Sequence, residues 1–397
     1  MEYLITFVLA FIIAFSSTPI ARKLAFKLGA VDVPKDERRM HKKPIALMGG
    51  VAITAGFLVS VLFSTILPAK MFAPNLDLIG LLAGIAIISL MGVLDDILTL
   101  KSRVKLMFQL AAAFVVVFVS DTRIMGITNP FIPEGYTTFP DALSYILTIC
   151  WIVGITNAIN LIDGLDGLAA GVSSICSLSL FFVSILRTDL DGPTRIYTLV
   201  LTAALAGSTL GFLPFNFNPA KIFMGETGSA FLGFTLGVLT IQGGLKTYAA
   251  ISIAIPLLVL GLPLFDTIFA ILRRVTSGKP IMEADRGHLH HKLIDMGLSQ
   301  RQSVIVMYVA SAALGLCAIV LADRDAISAI VLLLAVAIFI IGGAKYMNEI
   351  GDSPADETEN ENEASAKNTP AVESTTNDTP AADPAVILKN PTEGTIK

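Results

Sequence analysis

Long apolar stretches alternate with short polar ones along this chain. Apolar runs fall at about 3–21, 46–67, 78–94, 104–120, 141–158, 168–186, 196–214, 229–242, 249–271, 303–321 and 326–345. A helix needs roughly 20 mostly apolar residues to cross a bilayer, and several runs reach that length. The pattern predicts an all-α integral membrane protein, a polytopic bundle of about eleven transmembrane helices. The eighth and ninth runs are the least separated, because Gln242-Gly243-Gly244-Leu245-Lys246 is only a short break.

Composition supports the pattern. Charged residues make up 15% of the chain, against about 25% in soluble domains, and mean hydropathy is +0.74. The first run follows Met1-Glu2 with no basic segment before it, and Arg22 and Lys23 come after it. A cleaved signal has the opposite charge order, so a retained first span is expected. Cys150, Cys176 and Cys317 each sit inside an apolar run. No two have metal-ligand spacing, which predicts free, buried thiols.

Charge is unevenly spread. The overall charge is −4, yet the stretch from Asn348 to Lys397 holds eleven acids and three lysines. With few large apolar residues, that stretch cannot offset the entropy of ordering. The expected organisation is a membrane domain over 1–347 and an acidic disordered tail over 348–397.

Loop charge predicts orientation. Loops after odd-numbered spans carry 18 Lys and Arg, and those after even-numbered spans carry 6. Positive loops stay in the cytoplasm. The amino terminus is then outside, and the tail and the odd loops are inside. The same loops hold all four histidines, the pair Asp95-Asp96, Asp163, Asp166 and Glu226. A transporter more often places ionisable groups mid-bilayer on broken helices. Their gathering at one edge favours chemistry on a cytosolic substrate, in cytoplasmic catalytic loops.

Five segments carry candidate chemistry. Asp95-Asp96 close an apolar run, with Lys101, Arg103 and Lys105 following. Adjacent carboxylates at a membrane edge are solvated, paired or near a cation. Thr156–Gly171 reads TNAINLIDGLDGLAAG. Asn160, Asp163 and Asp166 are three apart and would share one side of a helix. Their oxygens suit magnesium, with phosphate completing the shell; an Asp-Gly turn is the plainer reading. In Phe215–Gly233, Glu226 and Lys221 are the only charges, and Glu226 either binds a ligand or caps the next helix. Asp285–Leu293 reads DRGHLHHKL, and its His288, His290 and His291 suit phosphate or sugar better than zinc, given oxygen donors elsewhere. The basic stretch around His41, Lys42 and Lys43 fits an anionic headgroup as well as the loop-charge rule. Asp266 inside the ninth run reads first as a helix–helix polar contact.

Together these motifs resemble the polyprenyl-phosphate N-acetylhexosamine-1-phosphate transferases. The matching residues are His41-Lys42-Lys43-Pro44 with Gly49-Gly50, Asp95-Asp96 with Lys105, Asn157–Gly171, Pro219–Gly233 and Asp285–Leu293. The resemblance implies a bundle of ten or eleven helices, often a homodimer, in a bacterial plasma membrane. It implies transfer of N-acetylhexosamine-1-phosphate from a UDP-sugar to undecaprenyl phosphate, with release of UMP and no role for nucleic acid. The histidine segment followed by Gly297-Leu298-Ser299 is similar to the UDP-N-acetylglucosamine branch, which starts teichoic acid, O-antigen and related polymers.

The resemblance also implies roles. Asn160 and Glu226 correspond to ligands of magnesium, or of manganese in its place. Asp95, Asp96 and Asp163 correspond to acids needed for turnover. Lys43, Lys105, Asp166, His288, His290 and His291 correspond to substrate-binding positions, with Asp166 at the uracil. Three positions depart from the family: Glu226 stands for Asp, Ala46 for Pro and Asn218 for Pro. The last two are expected to alter only loop stiffness. Direct attack by the lipid phosphate and a two-step route through an aspartyl-phosphate are both open. The alternatives are a phospho-N-acetylmuramoyl-pentapeptide transferase and, from another class, a secondary transporter or an inactive regulatory membrane protein.

Overall fold

The computed structural model describes residues 2–34, 43–66, 75–128, 136–187, 192–245, 254–276 and 288–323, with Val331 and Leu334. The expected eleventh span (apart from those two residues), the expected tail, His41, Lys42 and the segment 277–287 lie outside the described residues. Twelve helices follow one another among the described residues: α1 (Glu2–Leu28), α2 (Gly49–Ile66), α3 (Leu76–Leu98), α4 (Ser102–Ser120), α5 (Asp141–Ile162), α6 (Leu168–Leu186), α7 (Gly192–Asn216), α8 (Gly225–Thr240), α9 (Ala254–Val259), α10 (Gly261–Thr276), α11 (Leu289–Asp295) and α12 (Gln300–Ala322). Eight of them, α1 to α7 and α12, are long and apolar enough to cross a bilayer. The protein is an all-α polytopic membrane protein, as its sequence predicts.

Helix α8 is the centre of the bundle. Every residue from Thr227 to Thr240 is buried, and it packs against α5, α3 and α2. Its end passes through a π turn at Ile241–Leu245, where the sequence shows its short glycine break. Outward-facing residues are large and apolar, among them Ile12, Phe118 and Ile146. Lipid tails are as apolar as these side chains, so close packing and polar pairs, rather than burial from water, hold the helices together. Small residues provide the close approach. A Cβ at Gly207 of α7 would lie 2.2 Å from the Phe7 carbonyl of α1, and one at Gly211 would lie 2.4 Å from the Phe11 carbonyl. Buried hydroxyl pairs add cross-links: Thr6 to Ser64 at 2.8 Å and Ser174 to Thr209 at 2.8 Å.

The ninth run is two helices, not one. Pro263 sits in the first turn of α10 and has no N–H for the carbonyl of Val259, four residues back. The Cys176 thiol of α6 donates to that carbonyl at 3.0 Å. Cys176 and Cys317 are free and buried as expected, but Cys150 is exposed on the outer face of α5.

Two short segments frame the loop end of the bundle. Val31–Asp32 pairs antiparallel with Ile45–Ala46, and the Ala46 carbonyl accepts the Phe223 N–H at 2.9 Å. This ties the basic loop to the segment that leads into α8.

Candidate active site

The ends of α3, α5 and α7 and the starts of α2, α4, α6, α8 and α12 meet at one end of the bundle. The acidic centre is built around the first turn of α8. Gly225 has φ +68°, a left-handed conformation that favours glycine. A Cβ there would lie 2.6 Å from both carboxylate oxygens of Asp96. Asp96 uses that space. Its Oδ1 accepts the Glu226 N–H at 2.7 Å, and its Oδ2 accepts the Thr227 N–H at 3.3 Å and the Thr227 hydroxyl at 2.6 Å. A carboxylate thus satisfies the free N–H groups at the positive end of a buried helix. The side chain of Glu226 does not cap α8, as one of its two sequence readings had it. Its Oε2 accepts the Asn160 amide at 2.8 Å and lies 3.3 Å from Lys105 Nζ. Asn160 Nδ2 also donates to Ser229 at 2.9 Å.

Asp95 faces the other side of Lys105. Its Oδ2 is 3.4 Å from Lys105 Nζ, and its Oδ1 accepts the Leu100 N–H at 2.7 Å. Lys105 therefore bridges α3 and α8 through two half-buried carboxylates.

The expectation that Asn160, Asp163 and Asp166 share one side of a helix is not met. Helix α5 stops at Ile162, Asp163 is its C-cap, and Gly167 takes φ +82° at the start of α6. The two Asp-Gly steps turn the chain, so the three residues face different partners. Asn160 faces α8. Asp166 turns to the loop before α8, where its Oδ2 accepts Asn218 Nδ2 at 3.0 Å and the Ala220 N–H at 2.9 Å. Asp163 lies between them. Burial, and then the charges of Glu226, Asp96 and Asp166, push its carboxyl up to about 8.

Beside this acidic group opens a cavity of about 1100 Å³, lined by Lys43, Asp163, Asp166, Lys221, His291 and Gln300 among others. Of the three histidines, His291 reaches the cavity wall. His288 is buried and its Nδ1 lies 2.8 Å from Asp266 Oδ2, while Asp266 Oδ1 accepts the Leu289 N–H at 2.8 Å. Asp266 thereby anchors the start of α11. His290 is buried against Gly164, where a Cβ would lie 2.6 Å from its Nε2. Burial, and then His291, push its imidazole down to about 4, so it is neutral at physiological pH.

Sequence reading missed four contributors: Thr227, Ser229, Asn218 and Gln300. Short polar residues next to Glu226 signal the first two. Asn218 stands out only as a departure from the family, and Gln300, at the start of α12, carries no signal.

The donor set suits a hard divalent cation. The Asn160 amide nitrogen contacts the Glu226 carboxylate, so an amide and a carboxylate that can each offer an oxygen lie side by side, and the charges of Asp96 and Asp163 act close to Glu226. Among the described residues no three His, Cys, Asp or Glu side chains form a closed ligand group. Magnesium commonly takes one or two protein carboxylates and completes its shell with water and substrate phosphates.

These features define a polytopic membrane protein with a charged, cation-suited pocket at one end of its helices. Residues 78–244 match the model of glycosyl transferase family 4. A Bacillus subtilis protein, named as a probable undecaprenyl-phosphate N-acetylglucosaminyl 1-phosphate transferase, is 42% identical over 324 residues, covering 81% of this chain and 86% of that one. The decaprenyl-phosphate N-acetylglucosaminephosphotransferase of Mycolicibacterium smegmatis is 35% identical over 319 residues, covering 76% and 77%. The undecaprenyl-phosphate alpha-N-acetylglucosaminyl 1-phosphate transferase of Salmonella typhimurium is 27% identical over 297 residues, covering 74% and 77%. The chain belongs to this family of polyprenyl-phosphate N-acetylglucosaminyl-1-phosphate transferases.

Proposed function

We propose that the protein transfers N-acetylglucosamine-1-phosphate from a UDP-sugar to a polyprenyl phosphate, with undecaprenyl phosphate as the bacterial acceptor. The observation that carries this reading is the cation-suited group around Glu226 opening onto a cavity lined by Lys43, Asp166 and His291. Family membership supports the lipid acceptor and the sugar phosphate. The loop-charge imbalance supports a cytoplasmic site, where UDP-sugars are made, in a bacterial plasma membrane.

Phosphoryl-type transfer depends on charge neutralisation and alignment more than on covalent help. An oxygen of the lipid phosphate attacks the sugar-side phosphorus. A new P–O bond forms as the bond to the UMP phosphate oxygen breaks, and UMP leaves with that electron pair. A phosphate monoester has its second pKa near 6, so the attacker is largely ionised at neutral pH and needs no obligatory base. Glu226 and Asn160 would hold magnesium, or manganese in its place. When bound, the ion supplies neutralisation of the diphosphate charge. Lys105 holds Glu226 and Asp95 in place, and Asp96 fixes the backbone that carries Glu226. This makes Asp96 a positioning residue rather than the nucleophile of a two-step route. Asp163 lines the cavity beside this group, placed to meet a substrate phosphate. Asp166 orients the nucleotide, and Lys43 and His291 meet the sugar and diphosphate. His288 and His290 hold His291 in place.

The test is product analysis by mass spectrometry with purified protein, undecaprenyl phosphate, magnesium and a UDP-sugar panel. The expected lipid is the N-acetylglucosamine diphosphate. A product formed only from the muramoyl-pentapeptide donor would replace this reading with the sister activity.

A further inference from the structure

Asn218 departs from the family's proline, and its expected effect was loop stiffness alone. The structure gives it more to do. Its Nδ2 donates to Asp166 Oδ2 at 3.0 Å and to Gln300 Oε1 at 2.7 Å. Its backbone carbonyl accepts Arg301 Nε at 3.0 Å. Gln300 and Arg301 begin α12, whose start is fixed by a capping box between Ser299 and Gln302. Farther along α12, the Tyr308 hydroxyl donates to the Gly167 carbonyl at 2.5 Å. Helix α12 therefore holds the Asp166 turn at two points, directly at Gly167 and through Asn218 at the carboxylate.

The consequence falls on one oxygen. Asp166 Oδ2 already accepts from Asn218 and from the Ala220 N–H. Its Oδ1 accepts no hydrogen bond among the described residues, and Asp166 lines the large cavity. A carboxylate pinned through one oxygen presents the other in a fixed direction, as an acceptor for a single N–H donor on a ligand. We propose that Asn218, held by Gln300 and Arg301, is a positioning residue that sets affinity for the nucleotide half of the donor by fixing the orientation of Asp166. This rests on the reading above that Asp166 meets the nucleotide. A proline at this position has no side-chain donor, so the device belongs to this chain's own loop.

Asn218→Asp tests it with almost no change in side-chain size. It removes the donor and sets a second carboxylate against Asp166. The probes are UMP binding to the purified full chain and steady-state kinetics with UDP-N-acetylglucosamine. A hydrogen bond to a charged group corresponds to about tenfold in affinity. The UMP Kd and donor KM should each rise about tenfold, while kcat and acceptor KM stay within about twofold. Gln300→Leu, at a half-buried position, should raise donor KM about threefold. Combined with Asn218→Asp it should add nothing further, since both act through one contact. A fall in kcat with donor KM unmoved, or additive effects, would overturn the proposal. Asp166→Asn separates the two layers. If it leaves UMP binding unchanged, the nucleotide reading of Asp166 fails and the positioning role fails with it. If it weakens UMP binding and Asn218→Asp does not, only the positioning role fails.

Discussion

Glu226 is where the site is most exposed to a single-residue test. Its Oε2 accepts the Asn160 amide at 2.8 Å and lies 3.3 Å from Lys105 Nζ. Glu226→Asp, toward the family's usual residue, shortens the side chain by one carbon–carbon bond, about 1.5 Å. On an unmoved backbone, the Asn160 contact opens to about 4.3 Å, outside hydrogen-bond range. The backbone is held, because Asp96 binds the N–H groups of Glu226 and Thr227 rather than either side-chain carboxylate. A lost hydrogen bond to a charged group costs about 1.5–3 kcal/mol, and the ion pair with Lys105 lengthens with it. Activity should therefore fall roughly 10- to 100-fold, with a higher magnesium requirement and a melting temperature lowered by only a few degrees. UMP release against magnesium concentration, with thermal melts in parallel, provides the assay. A Glu226→Asp protein as active as the parent, at the same magnesium requirement, would refute the claim that this site is built to the length of glutamate.

Three further outcomes follow from the same geometry. Asp96→Asn replaces one of two acceptor oxygens with a donor facing α8 N–H groups. It should lower stability by about 1–3 kcal/mol, read as a lower melting temperature that accompanies the loss of activity; loss of activity at full stability would make Asp96 a reacting group instead. Lys105→Met leaves Asp95 and Glu226 without their shared cation, and should cut activity at least about tenfold, with Lys105→Arg retaining more; equal loss in both would contradict a bridging role. In the metal-free protein, Asp163 has a folded pKa of about 8 against 3.8 unfolded. Its contribution to stability is complete below the unfolded value and is lost as pH rises through 8. From about pH 7.5 upward, where His290 is almost wholly neutral in both states, melting temperature in chelator should decline with pH, and Asp163→Asn should flatten that decline; an unchanged slope would show that Asp163 does not carry it.

The fold was legible because bilayer length is a strong constraint. Ten of the eleven apolar runs coincide with helices among the described residues, in order. What the runs concealed is the break at Pro263, since apolarity continues across it while the backbone hydrogen bond does not. The site was legible as a set of residue types at one edge. Its internal wiring was not. Spacing of three put Asn160, Asp163 and Asp166 on one helix face, but α5 ends at Ile162 and the turn from Asp163 sends Asp166 to Asn218. The pair Asp95-Asp96 read as one unit, yet successive helix positions point apart, and the two serve different partners, Lys105 and the α8 N-terminus. Contacts such as Asn218 with Gln300, 82 residues apart, have no local signature at all.

The proposed reaction exchanges UMP for a lipid phosphate on a sugar phosphate, with the help of a divalent cation. The direct measurement is UMP release by the purified protein from UDP-N-acetylglucosamine and undecaprenyl phosphate, with magnesium present or chelated. Release that needs the lipid and magnesium together is the predicted result. No UMP from any UDP-sugar, by the parent or by Glu226→Asp, would contradict the claim and return the chain to a transporter or a regulatory membrane protein.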